Sequence, residues 1–130
     1  MVKRLRSINA VKTEAWQVIS KYIRTRDRRC VSCPTGEAEH CGHYQYNTER
    51  NKQLGGNALW YDERNLHGQC ISCNNYKSGN LVPYTIFMEE TYGVGIVQEL
   101  YKLWRTPKKW TRGEIEAVTV HYQLLIDALK

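Results

Sequence analysis

No run of apolar residues in this sequence is long enough to cross a bilayer. The longest patches, such as Leu81 to Met88, fall far short of the roughly 20 residues a spanning helix needs. Met1-Val-Lys-Arg leads into no apolar stretch, so no secretory leader is expected and the expected compartment is the cytoplasm. Internal repeats, low-complexity segments and linkers are missing as well. With a length of 130 residues, that argues for one domain built on one modest core.

Acid is scarce in the first thirty residues. Glu14 and Asp27 stand there against nine basic side chains (Lys3, Arg4, Arg6, Lys12, Lys21, Arg24, Arg26, Arg28 and Arg29), a net +7. The other hundred residues hold ten basic and eleven acidic groups, a net −1. A basic N-terminal third beside a balanced remainder is what a surface facing phosphates requires. The alternative is a solvated helix face that serves solubility.

Five cysteines in a reducing compartment are not expected to form disulfides. Four fall into two Cys-x-x-Cys pairs, Cys30/Cys33 and Cys70/Cys73, and Cys41 is the odd one. Each pair sits on a tight turn that presents both sulfurs on the same side, so the spacing points to metal. A zinc ion bound by Cys30, Cys33, Cys70 and Cys73 would join two distant knuckles around an inserted hairpin. With all four positions filled by thiolate, such a site is structural rather than catalytic.

Residues 11–29 have the period of an amphipathic helix, with Ala15, Trp16, Ile19, Tyr22 and Ile23 on one stripe and Ser7 or Asn9 as its cap. Cys41 to Tyr46 alternates as a strand, Asn51 to Asn57 with Gly55-Gly56 is a loop, and Leu59-Trp60-Tyr61 is the expected return strand. Asn74 to Asn80 reads as a short helix or turn ended by Gly79. Pro83 starts a further helix, Gly93 and Gly95 split it in two, and Pro107 ends the second half. Thr111-Arg-Gly-Glu114 is a capping box, and it opens a last helix that should bury Ile115, Val118, Tyr122, Leu125 and Leu129.

Hydrolysing a phosphodiester needs a water made nucleophilic, a cation on the scissile phosphate and stabilisation of the leaving oxygen. A histidine can take the water's proton, and a hard divalent ion on oxygen ligands can serve the other two needs. The chain offers His43 on a strand, Asn65, and Asn74 directly after the last cysteine. Each alone is an ordinary structural residue. Together, inside and beside a two-knuckle zinc site, they resemble the HNH (His-Me finger, ββα-metal) nuclease pattern.

The nearer resemblance is to the NinG or Rap family of lambdoid phage recombination nucleases. It rests on Arg26-Asp-Arg28 before Cys30-Val-Ser-Cys33, on Gly42-His43-Tyr44, and on Glu63-Arg64-Asn65-Leu66-His67 with Gln69-Cys70 and Cys73-Asn74. It continues in Lys77-Ser-Gly-Asn-Leu-Val-Pro-Tyr84 and Trp110-Thr111, and so covers nearly the whole chain from Val11 onward. The resemblance implies an α+β fold with a zinc-stapled ββα-metal (HNH, treble-clef-like) core. Within one domain, 1–130, it would comprise a basic helix (1–29), the zinc-bound core (30–80) and a helical C-terminal part (81–130). A cysteine-rich N-terminal extension found in some members has no counterpart here.

The same resemblance implies that His43 is the general base, that Asn65 holds the hairpin loop and orients His43, and that Asn74 binds a catalytic Mg²⁺ or Mn²⁺. Arg24, Arg26, Arg28, Arg29 and Lys77 are the expected DNA contacts. Two departures stand out. Gly42 occupies the place where many HNH enzymes have a metal-binding Asp, and His40 stands where family members tend to be acidic. His40 is either a substitute ligand favouring a softer ion or an exposed bystander. His67 is either near the metal or structural, and Cys41 is a small buried residue.

The function so implied is a metal-dependent, structure-selective DNA endonuclease acting on D-loops and Holliday junctions in phage recombination. Tyr44, Tyr46, Trp60 and Tyr61 could stack on unpaired bases or belong to the core. Branched DNA, a second copy of the chain held through the C-terminal helices, and a host or phage recombinase are the expected partners, and a membrane is not. A non-catalytic zinc-stabilised nucleic-acid-binding module and a sequence-specific HNH endonuclease are the alternatives.

Overall fold

The computed structural model describes residues 6–129; Lys3 and Arg4 of the basic third, and the Met1-Val-Lys-Arg start, lie outside them. Among the described residues the chain forms α1 (Ile8–Asp27), β1 (His40–His43), α2 (Glu49–Gln53), β2 (Leu66–Gln69), α3 (Leu81–Tyr92), α4 (Ile96–Trp104) and α5 (Arg112–Ala128). A 3₁₀ turn at Glu63–Asn65 precedes β2, and a π-helical turn at Ser72–Tyr76 follows it. The class is α+β: helices around a small two-stranded sheet. No helix among the described residues is long and apolar enough to cross a membrane.

Helix α1 starts three residues before the periodic stripe because Ser7 caps it, its hydroxyl accepting from the Ala10 amide. It stops at Asp27, since Arg28 turns to φ +61° and sends its N–H back to the Arg24 carbonyl. Val11, Ala15, Ile19, Tyr22 and Ile23 are buried along one stripe. The capping box at Thr111 and Glu114 opens α5, which packs Ile115, Tyr122 and Ile126 onto α1 together with Tyr61 and Leu66. Val118 and Leu125 are only half-buried, and Leu129 is exposed. Ile126 takes the place expected of Leu129, because the helical stripe passes from 115 through 122 to 126. A fully buried Ile here contributes about 1.5–3 kcal/mol.

The return strand is not Leu59-Trp60-Tyr61. Strand β1 pairs antiparallel with β2, His40 against Gln69, Cys41 against Gly68, Gly42 against His67 and His43 against Leu66. Residues 57–62 turn instead, because short polar side chains capture the local amides. The Asn57 side-chain oxygen accepts from the Leu59 N–H, and the Asp62 carboxylate from the Arg64 N–H. Leu59 and Tyr61 keep their apolar roles from this turn, feeding two different clusters. The strand at His43 is also shorter than expected, since Tyr44 to Tyr46 leave the sheet. The loop expected at 51–57 begins as α2, capped by Thr48, and Gly55 and Gly56 supply the positive φ of the following turn.

A second cluster, Tyr44, Leu59, Tyr84, Met88, Ile96 and Leu100, packs α3 and α4 against the hairpin. Gly93, at φ +97°, ends α3, and Pro107 lies beyond the end of α4. The hairpin is thus held between α1 on one face and α3 on the other.

Candidate metal centre and the adjoining cleft

Both cysteine pairs meet. The sulfurs of Cys30, Cys33, Cys70 and Cys73 all lie within 4.8 Å of one another, and Cys33 and Cys70 are 3.7 Å apart. Four thiolates about 2.3 Å from a tetrahedral zinc stand about 3.8 Å apart, so the cluster has the dimensions of such a site and could hold zinc. The knuckle geometry follows from local bonding. The Cys30 amide donates to the Gly36 carbonyl, the Val31 amide to the Gly68 carbonyl, and the Ser32 amide to the Cys30 sulfur. Gly36 is required: a Cβ there would lie 2.6 Å from Cys70 Cβ and 2.8 Å from its sulfur. Burial would raise the Cys33 thiol, but hydrogen bonds from the Gly36 and Thr35 amides and from Cys70 and Cys73 together outweigh it, and the thiol is pulled down to about 6. That favours the thiolate a metal needs. Cys41 stands outside the cluster, packed on the α1 core, and burial pushes its thiol up to about 12.

From the second knuckle the chain passes directly to Asn74, whose amide donates to the Cys70 carbonyl. Its side-chain nitrogen lies 3.0 Å from His40 Nδ1 across the hairpin. The two residues are therefore partners, and His40 is no isolated bystander. His43, on the other face of β1, rests against the Trp16 ring at 5.3 Å, and its Nε2 is buried with no hydrogen-bond partner. Burial lowers its pKa to about 4, so the ring is neutral at physiological pH. His43 and Asn74 line one open cleft of about 510 Å³ with Tyr44 and Tyr46.

Asn65 does not reach that cleft. It is buried behind it, accepting from the Gln45 amide at 2.8 Å and donating to the Gln45 carbonyl at 3.0 Å, while its own carbonyl accepts from the Tyr44 amide. These bonds hold the two residues that follow His43.

The space beside Gly42 is filled by Gln69. A Cβ at Gly42 would overlap the Gln69 amide oxygen and lie 2.7 Å from its Cδ. The Gln69 side-chain nitrogen donates to the Ser32 hydroxyl and the Gly79 carbonyl. Because a backbone carbonyl only accepts, the amide cannot be flipped, and Oε1 is left buried and unpartnered. The Trp16 support under His43 carried no signal in the sequence beyond ordinary core position, and Gln69 entered only through the Gln69-Cys70 motif, with nothing to mark its side chain as the neighbour of Gly42.

His67 is structural. Tyr84 donates its only hydroxyl proton to the Gly42 carbonyl, so His67 Nδ1 must donate to Tyr84, and Nε2 accepts from Tyr92. Burial lowers the His67 pKa to about 4, with the Arg26 charge adding to it.

The basic residues divide. Arg26 is bound to Asp27 and Glu63 and donates to the Leu66 carbonyl, which makes it a brace between α1 and β2 and leaves it out of any open surface. Arg24, Arg28, Arg29 and Lys77 are exposed.

The fold and site define a small α+β protein whose hairpin is clasped by a four-cysteine cluster suited to a metal such as zinc. The sequence profile described as "Bacteriophage Lambda NinG protein" matches residues 2–130, and the chain belongs to the NinG family. It is 37% identical over 121 residues to Protein ninG of Salmonella phage P22, covering 90% of this chain and 56% of that protein. To Protein ninG of Escherichia phage lambda it is 36% identical over 121 residues, with the same two shares of 90% and 56%. The chain thus spans little more than half the length of these curated relatives. No solved structure matches it.

Proposed function

We propose that this chain is an HNH-type, metal-dependent endodeoxyribonuclease selective for branched DNA. The supporting observation is the meeting of His43 and Asn74 on one cleft, with Asn65 clamped on the Gln45 backbone behind them. In this reading β1, β2 and the turn carrying Asn74 are the ββα core, and 1–130 acts as one domain. His43 takes the proton of the attacking water, which requires the neutral ring that burial maintains. Asn65 is a positioning residue, fixing the chain that leaves His43.

A divalent ion, when bound, supplies positive charge to the scissile phosphate and the leaving oxygen. Asn74 and His40 would hold it. Their donors are neutral, and no carboxylate stands at Gly42, so the set suits Mn²⁺ better than Mg²⁺, which demands hard oxygen ligands. The exposed Arg24, Arg28, Arg29 and Lys77 would grip phosphates, recognising backbone shape rather than base edges. D-loops and Holliday junctions in phage recombination are the proposed substrates, met in the cytoplasm of the bacterial host. A homodimer would supply the two cuts a symmetric junction needs, and a recombinase would supply the substrate.

The missing carboxylate favours a second reading, a zinc-stapled module that binds nucleic acid without cutting it. A synthetic four-way junction and a matched linear duplex, each incubated with Mn²⁺ or Mg²⁺, separate the two. The junction should be cut preferentially, and His43→Ala should lower cleavage at least about 100-fold while junction binding and bound zinc remain. Binding without cleavage by the wild-type chain would establish the second reading, and equal cleavage of both substrates would refute branch selectivity.

A further inference from the structure

Between α1 and the turn at residues 55–61 lies a cavity of about 750 Å³ that the proposed catalytic cleft does not use. Its volume is that of a small-molecule site, and its walls are aromatic. Trp16, Trp60, Tyr61 and Trp110 face it, with Trp16 and Tyr61 at 5.3 Å and Tyr61 and Trp110 at 4.9 Å between ring centroids. Lys12, Arg24 and Lys52 stand among the lining residues, and no acidic residue does. Among the described residues none of these three cations is held in an ion pair.

Rings and cations outside any ion pair around one concavity, Arg24 with its Nε on the Ser20 carbonyl and hydroxyl, meet the two requirements of a single-stranded nucleic-acid subsite: flat faces for bases and charge for the backbone. Paired bases lie stacked on their neighbours and offer no free face to such a wall. The cavity also adjoins the reacting end of the molecule, because Trp16, one of its walls, carries the His43 ring on it at 5.3 Å.

We propose that this cavity takes an unpaired nucleobase of a DNA strand, with the flanking phosphates on Lys12, Arg24 and Lys52. The inference rests on DNA being the substrate, and not on the chain cutting it. A strand whose base is seated here passes beside His43, which would select for the unpaired nucleotides at branch points.

The test measures binding without any added divalent ion. The zinc-loaded chain is titrated with a single-stranded oligothymidylate, with an abasic oligomer of the same length and charge, and with a duplex, following tryptophan fluorescence and anisotropy. The oligothymidylate should bind at least about tenfold more tightly than the abasic oligomer, the loss expected for one stacked base, and should quench tryptophan emission. Trp60→Ala should remove that preference. Because Trp60 is partly buried, Gln17→Phe, at an exposed position on the cavity wall, puts a bulkier side chain into the space without deleting core or altering charge, and should remove it too. Lys12→Glu with Lys52→Glu should weaken both oligomers together. Equal affinity for the thymidylate and abasic strands would overturn the proposal, as would a preference that survives Gln17→Phe, or a duplex bound as tightly as the single strand. Failure of the junction to be cut would leave these readouts intact.

Discussion

Gly42 and Gln69 share one volume, and each explains the other. The absent side chain at 42 leaves room for an amide whose nitrogen ties the first knuckle, at Ser32, to the turn at Gly79. Placing Asp at 42, the residue the HNH pattern leads one to expect there, should therefore disturb this packing. Gly42→Asp is expected to displace Gln69 and cost about 1–3 kcal/mol, read as a lower Tm with weaker zinc retention. A variant as stable as the wild type would show that the space is not closed. His67 makes a second residue-scale prediction. The unfolded chain takes up a proton near 6.5, whereas the folded ring resists it down to about 4. The neutral ring's contribution is thus complete above pH 6.5 and is lost as the pH falls toward 4, on the order of 3 kcal/mol. Acid also strips thiolate ligands, so the measurement is the difference between wild type and His67→Phe. The variant should be less stable near neutrality, and its stability should fall less steeply between pH 6.5 and 4. Parallel curves would mean that His67 is not held neutral. The sequence offered a structural role for His67 only as one of two alternatives, because its partners, Tyr84 and Tyr92, lie 17 and 25 residues away and no local period announces them.

Among the elements, helices were the more readable. Ser7 and the Thr111 capping box are local chemistry, so both long helices can be placed from residues within one turn of their ends. The hairpin was less readable, for a physical reason. Leu59, Trp60 and Tyr61 have strand composition, but Asn57 and Asp62 beside them capture amides at short range; the turn signal was present and was outweighed by composition. The true return strand contains Gly68, against which Ala38 and Asp27 pack, and its buried polar residues His67 and Gln69 break the apolar alternation that marks a strand. Asn65 is where the hairpin's open end is fastened. Asn65→Asp keeps the acceptor toward the Gln45 amide and removes the donor to its carbonyl. It should cost about 1–3 kcal/mol and speed amide exchange at residues 44–46 with zinc retained. Unchanged exchange there would mean that the clamp does not hold the chain.

At the scale of the molecule, the four-cysteine cluster was the most legible feature, since two Cys-x-x-Cys pairs state their geometry in their spacing. It joins the end of α1 to the end of β2, so it should govern the stability of everything between them. A freshly purified chain should carry one zinc. A chelator at neutral pH should abolish the cooperative melt of the hairpin region, and added Zn²⁺ should restore it. Well under one zinc per chain, or a melt indifferent to chelation, would refute the site. The α1–α5 core, which the cluster does not touch, should retain helical signal longer than the hairpin does.

The cluster's two halves are separated in the chain by the 36 residues from 34 to 69. Helix α1 needs only neighbours within a turn and can form on sub-microsecond timescales, whereas the second knuckle must find the first across that whole excursion. Assembly therefore has an order: a basic helix first, the clasp last. If the metal enters after the rate-limiting step, refolding in zinc will proceed no faster than refolding without it, and the ion will act only by slowing unfolding. The clasp then acts as a latch on a finished hairpin, and the lifetime of the folded chain is set by how long the latch stays shut.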